Sequence, residues 1–268
     1  MNMARVLITG GASGLGAALV RLCTARGDRV LVTDLDEHCD VPAGATYQQL
    51  DVTSETDWHR ARQTVLDTMG GLDILINNAG IAAGGRIDHI PNEEWVRVMN
   101  INVLGVANGC ATFAPMFKAA GGGHLVNTAS LAGLVHPPAM ASYTAAKAAV
   151  VAISESLRYE LAPYGVAVSV ICPSFFRTNL SSSLHDGDPL MATVARKLID
   201  RAPLDADTIA AAALAGVDAR KFLVLPDSAA RKAYWSKRLL KPLYDRQMAG
   251  MGRRIAAGAL AETEKETR

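Results

Sequence analysis

The stretch that most restricts the possible folds lies near the N-terminus. Val6-Leu7-Ile8-Thr9 is a short apolar run that ends in Gly10-Gly11-Ala12-Ser13-Gly14-Leu15-Gly16. A helical pattern through Ala17, Leu19, Val20 and Leu22 then continues to Arg26-Gly27. The order is strand, glycine turn, helix. Glycines let a backbone come close to a pyrophosphate, and a helix N-terminus offers it free N–H groups and partial positive charge. The spacing is Gly10-x-x-x-Gly14-x-Gly16 and not G-x-G-x-x-G. A plain flexible turn would also fit these letters, but the position between strand and helix favours a nucleotide.

The rhythm repeats along the chain. Arg29 to Thr33 is a second strand ending at Asp34. An acidic side chain there accepts hydrogen bonds from adenosine ribose hydroxyls and repels a 2′-phosphate. Ser13 and Leu35 flank it, and no lysine or arginine is at hand, so NAD is expected over NADP. Asp36 to Ala45, with Pro42 and Gly44, is too broken for a full crossover helix. Tyr47 to Leu50 is a third strand leading to Asp51-Val52. Ser54 and Asp57 have the spacing of a helix cap, which leaves Asp51 for an adenine contact.

Leu72 to Ile76 is a fourth strand, closed by Asn77-Asn78-Ala79-Gly80. A long helix over Asn92–Lys118 is interrupted in character by Asn100-Ile101-Asn102-Val103-Leu104-Gly105, because asparagine side chains compete for backbone groups. Further strands follow at His124–Thr128, leading to Ser130, at Val166–Cys172, ended by Pro173, and at Phe222–Pro226. Strands alternating with helices predict an α/β fold: a doubly wound, mostly parallel seven-stranded sheet with helices on both faces. The expected division is one Rossmann-like domain over 1–226, with a lid at about 179–203, and a basic helical extension over 227–268 whose end is disordered.

Ser142-Tyr143-Thr144-Ala145-Ala146-Lys147 opens a helical pattern, and residues four apart share one face. The Tyr143 phenol and the Lys147 ammonium can therefore point into one cleft. A free tyrosine, with a pKa near ~10, is a poor base at neutral pH, and a nearby positive charge lowers that value. On its own this spacing is common on surface helices.

Totals narrow the function classes. A formal charge of +1 argues against nucleic acid as the partner. Cys23, Cys39, Cys110 and Cys172 form no Cys-x-x-Cys pair and no metal-ligand grouping with the six histidines. Reduced thiols and a cytoplasmic setting fit. The N-terminal stretch is too quickly broken for a signal peptide, and no apolar run reaches the ~18 residues of a membrane-spanning helix.

Together these residues resemble the short-chain dehydrogenases/reductases in their single-domain form. The elements that match are Thr9-Gly10-x-x-x-Gly14-x-Gly16, Asp34, Asp51-Val52, Asn77-Asn78-Ala79-Gly80, Asn102, Ser130, Tyr143-x-x-x-Lys147 and Pro173 to Thr178, in the family's order over roughly residues 4 to 180. The resemblance implies NAD across the carboxyl ends of the strands, with its pyrophosphate at Gly14, Leu15 and Gly16. It implies Tyr143 as the acid/base, and Lys147 as the group that lowers its pKa and binds the nicotinamide ribose. Ser130 would hold the substrate oxygen, Asn102 a relay water, and Thr178 with the backbone near Phe176 the nicotinamide carboxamide. Where the family often has Pro-Gly this chain has Pro173-Ser174, and its usual glycine-rich ending is absent.

The expected activity interconverts a secondary alcohol and a ketone on an apolar molecule. An NADPH-dependent carbonyl or 3-oxoacyl reductase, and a non-catalytic dinucleotide-sensing or scaffold protein, are the alternatives. His136 and Phe175 are candidate substrate contacts, and a homodimer or homotetramer is expected. From Asp227 to Arg254, eight basic residues (Arg231, Lys232, Lys237, Arg238, Lys241, Arg246, Arg253, Arg254) interleave with apolar ones and face only Asp227 and Asp245. That pattern suits a helix packed on its own domain or a second subunit, or weak contact with an anionic membrane surface.

Overall fold

The computed structural model describes residues 3–184 and 187–266, with side chains in the last helix as far as Gly258. Seven strands, β1 (Arg5–Thr9), β2 (Arg29–Asp34), β3 (Ala45–Gln49), β4 (Ile74–Asn77), β5 (Gly123–Thr128), β6 (Val166–Ile171) and β7 (Leu223–Val224), form one sheet in the order β3-β2-β1-β4-β5-β6-β7. Every pairing is parallel, so no antiparallel edge qualifies the sheet. The order reverses between β1 and β4, and the crevice past the carboxyl ends of those two strands is where such sheets take ligands.

Alternation along the strands builds two cores. Leu7, Leu31, Leu75 and Leu125 face α2 (Glu55–Met69) and α4 (Gly105–Ala120), whose Trp58 and Phe113 meet edge to face at 6.4 Å. Val6, Ile8, Val30, Val32 and Ile76 face the other way, toward α1 (Gly14–Ala25) and α8 (Ala206–Asp218). Side chains buried on both faces explain why the strands read as continuous apolar runs. No helix forms between Asp34 and Ala45, where Pro42 and Gly44 stand. Ser54 caps α2 by accepting from the Asp57 N–H at 3.2 Å, and α2 stops at Gly70 in the left-handed region (φ +69°).

The long helix expected over 92–118 is three pieces: α3 (Asn92–Met99), a π-helical turn over Asn100–Leu104, and α4. The π turn contains Asn102, which is fully buried. Beyond β5 come a short α5 (Ala132–Val135) and the long α6 (Ala141–Leu161), which carries Tyr143 and Lys147 in its first two turns. A buried polar chain ties α6 to the sheet. Asn77 Nδ2 donates to Asn127 Oδ1 at 2.9 Å, and Asn127 Nδ2 to Ser154 Oγ at 3.0 Å.

Residues 179–203 contain a 3₁₀ turn at Asn179–Ser183 and α7 (Pro189–Asp200); His185 and Asp186 lie outside the described residues. The segment is bound down. Arg86 pairs with Asp188 through two side-chain hydrogen bonds (2.7 and 2.9 Å), and the Ala82 N–H donates to Ser183 Oγ at 2.9 Å. After β7 come α9 (Ser228–Leu239) and α10, which runs from Lys241 to Glu266, into the stretch expected to be disordered; Thr267 and Arg268 lie outside the described residues. No helix among the described residues is long and apolar enough to cross a membrane.

Candidate active site

The glycine turn is held by backbone chemistry that only small residues permit. Gly10 has φ +63° and Gly14 φ +54°, both in the region that favours glycine. A Cβ on Gly10 would stand 2.7 Å from the Ala79 Cα, and one on Gly16 would stand 1.9 Å from the Gly10 carbonyl oxygen. Asn78 locks the turn to the end of β4: its Nδ2 donates to the carbonyls of Thr9 (3.0 Å) and Gly10 (3.2 Å). Thr9 Oγ1 accepts from the N–H groups of both Asn78 and Ala79, each at 3.0 Å. Ser13 precedes α1, and its side chain makes no capping bond.

Asp34 closes β2 beside this turn. One carboxylate oxygen accepts from the Ala12 N–H at 2.9 Å and the other from the Leu35 N–H at 2.8 Å, which leaves each oxygen with lone-pair capacity. Asp51 differs. One of its oxygens already accepts from both the N–H and the hydroxyl of Thr53, each at 2.8 Å. Both aspartates line a cavity of about 760 Å³ that begins at Gly10, Ser13, Gly14 and Leu15. Val52, Asn78, Ala79, Gly80, Pro173, Phe176 and Thr178 line the same space. The Thr178 hydroxyl lies against the turn, 2.6 Å from where a Cβ on Gly14 would be. A turn whose cradle a methyl group would fill, a helix N-terminus and a strand-end carboxylate with spare acceptors together fit a dinucleotide.

The cavity runs on to Ser130, Tyr143 and Lys147. Tyr143 sits at the start of α6 and Lys147 one turn later, which brings both to the end of β5. The Lys147 ammonium donates to the Thr128 carbonyl at 3.0 Å and stands 5.8 Å from the centroid of the Tyr143 ring. Burial lowers the Lys147 pKa to about 8. Burial also pushes the Tyr143 phenol up, and a hydrogen bond from the Ser130 hydroxyl opposes it. The depression of Tyr143 by Lys147 expected from their spacing is therefore not what these residues produce by themselves: desolvation is the larger effect.

Asn102 is brought to the same place by the π turn, but its amide is engaged. Oδ1 accepts from the Ile81 N–H at 2.9 Å and Nδ2 donates to the Ile81 carbonyl at 3.0 Å. Gly80 is squeezed between them: a Cβ there would lie 2.7 Å from Asn102 Oδ1 and 3.3 Å from Lys147 Nζ. Each amide atom makes one bond here, which leaves Nδ2 a second N–H and Oδ1 a second lone pair.

A short-chain dehydrogenase family model matches residues 4–189 of this chain. The chain belongs to the short-chain dehydrogenase family. Among its curated relatives, the 3-alpha-(or 20-beta)-hydroxysteroid dehydrogenase of Mycobacterium tuberculosis (strain ATCC 25618 / H37Rv) is 37% identical over 181 residues, covering 65% of this chain and 70% of the relative. The 2-(R)-hydroxypropyl-CoM dehydrogenase of Xanthobacter autotrophicus is 33% identical over 235 residues, 81% of this chain and 93% of the relative. Two solved short-chain dehydrogenases superpose closely. One from Burkholderia phymatum, in complex with NAD, gives a TM-score of 0.83 at 26% identity, covering 90% of this chain and 95% of the other. One from Burkholderia cenocepacia J2315, in complex with NADP, gives 0.79 at 26% identity, covering 91% and 97%. As a short-chain dehydrogenase, the protein is an oxidoreductase built on a nucleotide-binding fold.

Two features of this short-chain dehydrogenase differ from what the sequence predicts. His136, expected to touch substrate, does not line the cavity. It has φ +56°, its Nε2 is bonded to the Gly133 carbonyl (3.1 Å) and its Nδ1 to Lys237 Nζ (2.8 Å). Phe175, the other candidate, does line it. The second feature is a wall that the sequence does not announce. Ala233, Ser236, Tyr244, Met248 and Met251, from α9 and α10, also line the cavity. Tyr244, Met248 and Met251 recur at four and three residues, the spacing of one helix face, and that face had to be covered by something.

Proposed function

We propose that this protein is an NAD-dependent oxidoreductase that interconverts a secondary alcohol and a ketone on an apolar small molecule. The reading rests on one observation: Ser130, Tyr143 and Lys147 share one cavity with the glycine turn and Asp34. In the alcohol-oxidising direction, the Ser130 hydroxyl holds the substrate oxygen, and Tyr143, as a phenolate that has already given its own proton to solvent, accepts the substrate proton at Oη. Lys147 offers a buried positive charge beside that phenol as it ionises, and Asn102 can hold a water toward solvent. NAD, when bound, supplies the acceptor for the hydride leaving the carbinol carbon. Gly10, Ser13, Gly14, Leu15 and Gly16 would hold its phosphates and Asp34 its adenosine ribose. Asp51 and Val52 would hold the adenine; Asn78, Ala79, Gly80, Lys147, Pro173, Phe176 and Thr178 would hold its nicotinamide half. Ile81, Ala82, Phe175 and the segment over 179–203 would give the substrate an apolar surround.

Asp34 supports NAD over NADP, and an NAD pool kept oxidised in the cytoplasm favours alcohol oxidation. A panel of secondary alcohols with NAD or NADP, followed by absorbance of the reduced cofactor, tests the reading. Turnover with NAD on apolar alcohols is expected; a strong preference for NADPH with ketones would replace it.

We further propose a homodimer or homotetramer, because Val96, Leu104 and Tyr159 are exposed on neighbouring helices. Weak contact with an anionic membrane surface is supported by the α9–α10 elbow, where Trp235, Leu239, Leu240 and Leu243 are exposed among Arg238, Lys241 and Arg246. Sedimentation of the protein alone and with phosphatidylserine vesicles tests both: a monomer refutes the first, and pelleting no greater than with neutral vesicles refutes the second.

A further inference from the structure

Ser174 stands immediately after Pro173, where the family often has glycine. Its hydroxyl donates to Asp227 Oδ1 at 2.7 Å, and its N–H donates to Asp227 Oδ2 at 3.0 Å. Asp227 is buried, and the same Oδ1 accepts from the Ala230 N–H at 2.7 Å, which caps α9. One carboxylate therefore starts the C-terminal helices and grips the loop that follows β6. Two further bonds fix the far side of those helices. Lys237 Nζ donates to the Leu134 carbonyl at 2.7 Å, and the Tyr244 hydroxyl donates to the Val135 carbonyl at 2.6 Å. Both acceptors belong to α5, which follows Ser130.

The C-terminal wall is thus fastened at one end to the segment that carries Pro173, Phe176 and Thr178, and at the other to the segment behind Ser130. Its inner face, through Tyr244, Met248 and Met251, borders the cavity. We infer that Ser174 and Asp227 are positioning residues that link occupation of the dinucleotide cleft to closure of the C-terminal wall over the substrate. The inference rests on the proposed NAD reading and goes beyond it. A molecule that orders the 173–178 loop orders the donor side of the Ser174–Asp227 pair, and the acceptor side is the first residue of the wall. Linkage is reciprocal: whatever favours the closed wall tightens cofactor binding by the same factor.

Hydrogen exchange of the full-length protein, with and without NADH, tests this without a turnover assay. In the unaltered protein NADH slows exchange of amides in α9 as well as at 173–178. Ser174→Ala keeps slowing at 173–178 but loses it in α9, and NADH binding weakens by about fivefold to tenfold, the lower part of the usual range of coupling between two sites. Ser174→Thr, which keeps a hydroxyl, restores both. If NADH binds and protects 173–178 but leaves α9 unchanged in the unaltered protein, the link is refuted while the NAD reading stands. The link is equally refuted if Ser174→Ala behaves as the unaltered protein. If NADH does not bind at all, both fall.

Discussion

Lys147 points its ammonium at the Thr128 carbonyl, 3.0 Å away, and at the face of the Tyr143 ring, 5.8 Å from the centroid. The ammonium bonds to backbone, and Tyr143 has Ser130 as its own partner. The phenol and the ammonium are neighbours held by different hands. Proton affinity in this pocket is governed by burial first, which raises the phenol and lowers the ammonium.

Removing the phenolic oxygen isolates its role. Tyr143→Phe should cut kcat by roughly 10²- to 10⁴-fold, the usual worth of a positioned acid or base, while NADH binding by fluorescence titration stays within about twofold. Activity within about tenfold of the unaltered protein would reject Tyr143 as the acid/base.

Lys147 gives a stability slope on the alkaline side. Its pKa is about 8 when folded against 10.5 as the ordinary value, so between these the unfolded chain holds the extra proton. Stability should rise as pH goes up through this window, by at most about 3 kcal/mol. Urea melts at about pH 7.5 and about pH 10 check it, and Lys147→Met should flatten the rise.

His124 gives the acid side. It is buried, with Nε2 at 2.8 Å from Ser169 Oγ, and burial lowers its pKa from 6.5 to about 4. The stability it contributes is present above pH 6.5 and lost as pH falls toward 4, again at most about 3 kcal/mol. Melts of His124→Gln across roughly pH 4–7 should show a shallower fall than the unaltered protein.

Cofactor choice should turn on Asp34. Asp34→Ala removes the acceptor and the charge, so kcat/KM with NAD should fall about tenfold or more and the NADP-to-NAD ratio should rise. Initial rates with both cofactors decide it; an unchanged ratio would strip Asp34 of any part in cofactor choice.

The buried chain Asn77–Asn127–Ser154 should matter to folding. Asn127→Ala leaves Asn77 Nδ2 and Ser154 Oγ each without this partner and should cost about 2–4 kcal/mol, read as a lower urea midpoint at unchanged slope. Activity per folded molecule should change far less.

The nucleotide half of the molecule is legible in the chain because its requirements are local. Gly10 and Gly14 need a positive φ, Gly16 needs the absence of a Cβ, and Asp34 needs only to end its strand. Even the interruption at Asn100–Leu104 shows in the asparagines of a helix. The rest of the cavity is only partly legible: Phe175 and the 179–203 segment line it as expected, but the wall from α9 and α10 comes from far along the chain. An apolar face at Tyr244, Met248 and Met251 announces that it will be buried, but not against what. Ser174 reads as a loss of backbone freedom, whereas its hydroxyl finds its acceptor 53 residues on. His136 cannot be placed from sequence either, since one of its ring partners, Lys237, lies about a hundred residues on, in α9.

The π turn at Asn100–Leu104 has a consequence for how this chain can change length. An α-helix rotates about 100° per residue, and a π turn takes up one residue more over nearly the same rotation, so deleting one residue there would close the bulge and leave α3 and α4 nearly in phase. The Asn102 amide would swing off Ile81, and with it the strut beneath Gly80 and Lys147. Side chains on the outer surface of this turn can be exchanged, whereas a codon lost from it dismantles the floor on which the phenol and the ammonium are seated.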